Sequence, residues 1–129
     1  MIILLSQQKH LKRITNMIKV RFKIWECYVK FGRYHNNRIA ITLLEIDTHE
    51  PVATATVNLP AEDLPEGYVY VKDYAENGGM YHALWNHKII GGIEGIAFSG
   101  RVTIPMCKLL IPKEVYEQDN PEVPLDKRN

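Results

Sequence analysis

The chain has 129 residues, of which 46% are hydrophobic and 24% charged, enough for one domain with its own core. Formal net charge is +1, and the two cysteines, Cys27 and Cys107, form no C-x-x-C pair. These values exclude wholesale disorder, a disulfide framework and a cysteine-rich zinc site, and they leave buried thiols in a reducing compartment as the expectation.

The near-neutral total conceals a segregation of charge. Between residues 9 and 38, nine basic residues (Lys9, Lys12, Arg13, Lys19, Arg21, Lys23, Lys30, Arg33, Arg38) stand against Glu26 alone. Between residues 45 and 76, eight acids (Glu45, Asp47, Glu50, Glu62, Asp63, Glu66, Asp73, Glu76) stand against Lys72. Such a layout makes either a basic patch beside an acidic one, or two regions that face each other in the fold and cancel. The sequence leaves both open.

Met1 to Leu5 are apolar, but the run stops at Ser6 and has no basic lead or small-residue cleavage site. No stretch approaches the ~20 apolar residues of a membrane span. A cytoplasmic protein without a membrane partner is expected. Residues 6–16 suit a short helix, with Ser6 as N-cap and Leu11 and Ile14 on one face. The expected organisation is an extension over 1–17, a single domain over 18–111 and a polar, proline-dotted tail over 112–129.

From Ile18 the period becomes two. Ile18, Val20, Phe22 and Ile24 alternate with Lys19, Arg21 and Lys23, as in a strand with one buried face. The apolar phase then flips to Trp25, Cys27, Val29 and Phe31, and a β-bulge near Ile24 and Trp25 would absorb the slip. After a turn over 32–37, strands are predicted over 38–47 and 52–58, completing an antiparallel meander. Pro60 and Pro65 keep the loop over 59–67 extended. A fourth strand over 68–72 leads into a helix, Asn77 to His87, with Asp73 or Asn77 as cap and Met80, Ala83 and Leu84 as its core stripe. Gly91 and Gly92 follow as the helix closes. Two further strands, 93–98 and 101–111, flank a turn at Ser99 and Gly100. The fold class is therefore α+β: an antiparallel sheet of five to six strands with one main helix on one face.

The residues offer little chemistry. His82 and His87 are five apart and share no helix face, and no H-E-x-x-H or clustered triad occurs, so no metal or other cofactor is expected. Cys27 and Cys107 lie in mid-strand on apolar phases, away from the helix N-termini that activate thiols. Gly78 and Gly79 lie between strand and helix, yet no phosphate-loop pattern surrounds them, and Asp73 and Glu76 would repel phosphate. Those two acids near the helix start complement its partial positive charge. A basic stripe is the main candidate outside this stretch: Lys19, Arg21 and Lys23 at a spacing of roughly 7 Å on one strand face, with Lys30, Arg33 and Arg38 beyond. It reads either as a solvated face or as a surface for an acidic protein or nucleic acid.

Thr56-Val57-Asn58-Leu59-Pro60, then Val71-Lys72-Asp73-Tyr74, Glu76-Asn77, Gly79-Met80 and Leu84, resemble a family of small uncharacterised proteins of phages, plasmids and conjugative elements. Its members look similar around T-x-N-L-P and V-K-D-Y-x-E-N-x-G-M segments. The match covers roughly residues 18–90, and Gly78 departs from it. The resemblance transfers no catalytic residue. It implies a non-enzymatic accessory protein that binds a host protein or ribonucleoprotein complex, in the manner of an anti-CRISPR inhibitor of a host defence complex. A nucleic-acid-binding accessory protein is the alternative. The residues expected at the contact are Lys19, Arg21, Lys23, Lys30, Arg33 and Arg38, with Asp73, Tyr74 and Glu76.

Overall fold

The computed structural model describes residues 18–117, so the expected helix over 6–16 lies outside the described residues. Seven strands form two antiparallel sheets, one of four strands in the order β1-β2-β3-β4 and one of three in the order β5-β7-β6. The first sheet contains β1 (Lys19–Phe22), β2 (Trp25–Arg33), β3 (Ile39–Glu45) and β4 (Pro51–Thr54). The second contains β5 (Tyr68–Tyr70), β6 (Ile90–Ser99) and β7 (Val102–Leu109). The α+β class holds. The single five- to six-stranded sheet with one main helix is replaced by two sheets and a few short helices.

The expected bulge at Ile24 and Trp25 is a hairpin. β1 and β2 pair with Phe22 opposite Trp25 and Val20 opposite Cys27, so Lys23 and Ile24 are the whole turn. A two-residue turn pairs even positions with odd ones, which inverts the apolar phase as a bulge does. Lys23 takes the positive φ, +56°, that such turns require. Val20, Phe22, Cys27, Val29 and Phe31 enter the main core with Ile39, Ile41 and Leu43 of β3.

The two sheets meet at a seam. Beyond β4 the chain stays extended: the Ala55 amide donates to the Ile41 carbonyl (2.7 Å), while the Lys72 amide donates to the Ala55 carbonyl (2.8 Å). The Val57 amide donates to the Tyr70 carbonyl, and Thr56 bridges Val71. The predicted strand over 52–58 thus leaves one sheet and joins the other midway. On the outer side Tyr34 reaches over to place its hydroxyl 2.9 Å from Thr56 Oγ1, which also accepts from the Ile41 amide.

After β5 a 3₁₀ turn (Ala75–Asn77) precedes the first α-helix, α1 (Met80–Asn86). Asn77 is buried and its Nδ2 donates to the Thr54 carbonyl at 2.6 Å, tying the turn to the end of β4. Asp73 Oδ1 accepts from the Gly79 amide (2.8 Å) and the Tyr81 amide (3.2 Å), satisfying donors the helix start leaves open. Met80, Ala83 and Leu84 face the core as the sequence predicts. The helix closes earlier than the glycine pair suggests. Lys88 sits at φ +60°, its amide bonds the Trp85 carbonyl, and the Ile89 amide bonds the Leu84 carbonyl. That is a Schellman ending with lysine where glycine is usual. Ile90 accordingly begins β6, and Gly91 and Gly92 lie within it.

α1 packs against β1 and β6, the outermost strands of the combined order. His87 joins it to β1: Nδ1 donates to the Ala83 carbonyl (2.8 Å), which leaves Nε2 to accept from the Arg21 amide (3.4 Å). A second, smaller cluster of Tyr70, Ala97 and Ile104 lies beneath the loop carrying Leu59 and Leu64. The polar tail expected from residue 112 begins instead with a helix, α2 (Lys113–Glu117). Val115 and Tyr116 are buried, with the Tyr116 ring 6.0 Å from that of Phe31. No helix among the described residues is long and apolar enough to cross a membrane.

Candidate nucleic-acid or protein interface

Strand alternation sorts the predicted basic residues. Lys19 stands opposite Tyr28 and Arg21 opposite Glu26, so these four share the outer face of the β1–β2 hairpin with Lys30, two residues beyond Tyr28. Arg21 Nη1 is 2.7 Å from Glu26 Oε2, an exposed pair that contributes little to stability. Lys19 is exposed and Lys30 half-exposed. Tyr28 is engaged: its hydroxyl lies 2.8 Å from His49 Nδ1, with the two rings edge to face.

The other cations turn toward the fold. Lys23, in the hairpin turn, places Nζ 2.6 Å from the Glu76 carbonyl and 5.2 Å from the centre of the Phe22 ring. Arg33 donates to the Asn37 carbonyl, lies over the Tyr116 ring at 5.6 Å and approaches Glu117 at 3.8 Å. Arg38 holds the following loop through the Leu59 carbonyl (2.7 Å) and the Glu62 carbonyl (2.6 Å). The basic and acidic runs therefore meet through ammonium or guanidinium groups and backbone carbonyls.

The residues of the central motif hold structure together. Asp73 caps α1, and Tyr74 packs on the smaller core with Lys72 Nζ 5.7 Å from its ring centre. Glu76 pairs with Lys72 at 3.0 Å. Its own backbone N–H and the Lys72 ammonium hold its carboxyl below the usual carboxylate range. In the T-x-N-L-P segment, Thr56 is buried under Tyr34, and Asn58 Oδ1 accepts from Asn36 Nδ2. Of the nine predicted contact residues, Lys19, Arg21 and Lys30 share one outward face, while the others serve local anchoring.

Sequence reasoning missed the apolar end of this hairpin. Ile24 is 77% exposed and Trp25 is 39% exposed, although both read as core positions. Ile24 belongs to the turn rather than to a strand, and Trp25 stays part-exposed although Phe22 opposite it is buried; strand period carries no signal for either. Beside Trp25 is a recess of about 220 Å³ lined by Trp25, Glu45, Glu50, Pro51 and Val52.

Both cysteines are buried and reduced. Burial, reinforced by Glu26 and Glu45, pushes the Cys27 thiol up to about 11, and burial with Glu94 does the same for Cys107. Neither thiol is ionised at neutral pH, so neither supplies the thiolate that nucleophilic chemistry needs. Among the described residues no cluster of three or more His, Cys, Asp or Glu side chains is arranged to hold a metal ion. Compared with protein-family models, curated proteins and solved structures, the chain matches none.

Proposed function

We propose that this chain acts by binding another protein stoichiometrically, without turning over a substrate, and that the β1–β2 hairpin is its contact element. One observation carries the reading: a single hairpin offers cations on its outer face and a large exposed aliphatic side chain, Ile24, at its tip. Protein contacts combine an apolar anchor with a polar surround in this way, and the charges speed encounter and reject wrong partners. Single-stranded nucleic acid stacks its bases on aromatic faces set among the cations, and Tyr28, the aromatic residue on the hairpin's outer face, is bonded to His49. In the setting that the sequence resemblance implies, the chain is a mobile element's accessory protein. Its partner is then a host protein or ribonucleoprotein complex that it inhibits.

The test is capture from host lysate with and without nuclease, followed by titration of the purified partner. The expected result is one protein retained after nuclease, bound one to one, and held at least tenfold more weakly by K19E/R21E/K30E or by I24S. Retention of nucleic acid alone would replace this reading with the nucleic-acid one. Turnover of any substrate that one side-chain change abolishes would end both.

A further inference from the structure

The recess beside Trp25 has a definite chemistry. β2 supplies the indole, Glu45 is the last residue of β3, and Glu50, Pro51 and Val52 come from the start of β4. Leu43 pairs with Ala53 while Leu44 pairs with Pro51, so Val52 is an extra residue that opens the sheet's end at this point. At about 220 Å³ the space is smaller than the roughly 300–1,000 Å³ of metabolite sites and suits one long side chain.

Its walls select charge. Among the described residues no basic side chain lines it, and Lys23, the nearest described cation in sequence, is held by the Glu76 carbonyl. Glu45 Oε1 accepts from Thr48 Oγ1 at 2.6 Å, which fixes the carboxylate. Among the described residues neither Glu45 nor Glu50 is in an ion pair. Glu45 also contributes to the raised Cys27 thiol, a sign of the negative potential here. An aromatic side chain, two carboxylates and the aliphatic side chains of Pro51 and Val52 match a cation on an alkyl stem.

We propose that this recess receives a lysine or arginine side chain of the partner protein, so that the hairpin engages cations with its recess while offering its own on the outer face. This rests on the protein-binding reading above, but its test uses the isolated chain. In the W85F background the Trp25 indole N–H is the single such NMR signal. It is followed during titration with Ac-Gly-Arg-Gly-NH₂, Ac-Gly-Lys-Gly-NH₂ and Ac-Gly-Glu-Gly-NH₂ at low salt.

The expected result is a saturable shift with the cationic peptides and none with the acidic one. Apparent affinity should fall at least fivefold in E50Q and further in E45Q/E50Q, with E114Q, an exposed position on α2, unchanged. Because Glu50 is exposed, E50Q tests the site without touching the core. No saturable shift, an equal shift with the acidic peptide, or insensitivity to E50Q would overturn the recess. Capture of a partner lost in K19E/R21E/K30E would still stand in that event, so the two readings fail separately. A stronger response to arginine than to lysine would identify guanidinium stacking on the indole as the dominant contact.

Discussion

Replacing Asn77 isolates what the central motif does. Its amide is buried and donates to the Thr54 carbonyl at 2.6 Å, the tie between the 3₁₀ turn and β4. In N77A the carbonyl loses its donor and a small void replaces the amide, a loss of about 2–3 kcal/mol. That is a sizeable part of the 5–15 kcal/mol typical of domains, and corresponds to a fall in Tm of roughly 10 °C or more. N77D is the sharper probe. It keeps the shape but sets a carboxylate oxygen against a carbonyl, so at pH 7 it should be at least as damaging as N77A.

Protonation restores a donor, which raises the folded-state pKa of the introduced acid above its unfolded value. Its stabilising contribution is then present below the unfolded pKa, about 4, and is lost as pH rises through the folded one. Urea unfolding at pH 4.5 and pH 7 measures this, and the gap between N77D and wild type should narrow at the lower pH. N77A within 0.5 kcal/mol of wild type, or N77D equal to it at pH 7, would refute the assignment of Asn77 as a structural tie.

The thiols predict alkaline weakness. With folded pKa values raised to about 11 from 9.0, their contribution is intact below pH 9 and lost as pH rises toward 11. Under reducing conditions wild type should lose on the order of 2–3 kcal/mol per thiol more than C27A/C107A over that interval, and parallel curves would contradict this. Y34F removes the hydroxyl beside buried Thr56 and should cost about 1 kcal/mol in urea unfolding, with the strands otherwise retained. R38A frees both carbonyls that hold the loop over 59–67, so hydrogen exchange and limited proteolysis should rise there first, with R38K intermediate.

Strand periodicity located most of the sheet residues, and the stripe of Met80, Ala83 and Leu84 located α1. What it could not separate were arrangements that share a pattern. The phase flip after Phe22 fits a bulge and a two-residue hairpin equally, and Lys23 and Ile24 carry no glycine or asparagine to announce the turn. Alternation runs unbroken through 53–58 although the chain changes sheets at Ala55, because both sheets demand the same period. α2 escaped notice because Val115 and Tyr116 are an isolated apolar pair among polar residues. The site was harder still. Arg33 and Arg38 look as available as Lys19 and Lys30, and only the folded chain reveals that loop carbonyls and the Tyr116 ring engage them. Val71 to Met80 reads as a functional signature, yet its polar members cap, tether and pair.

The seam at Ala55 governs how the molecule can come apart. One short extended segment satisfies Ile41 on one flank and Tyr70 and Lys72 on the other, so neither half closes its hydrogen bonding alone. A chain broken there would strand backbone groups on both sides at once. Unfolding is thereby made a shared event, and an outward hairpin can meet a partner while its inner strands stay locked to the far half of the fold.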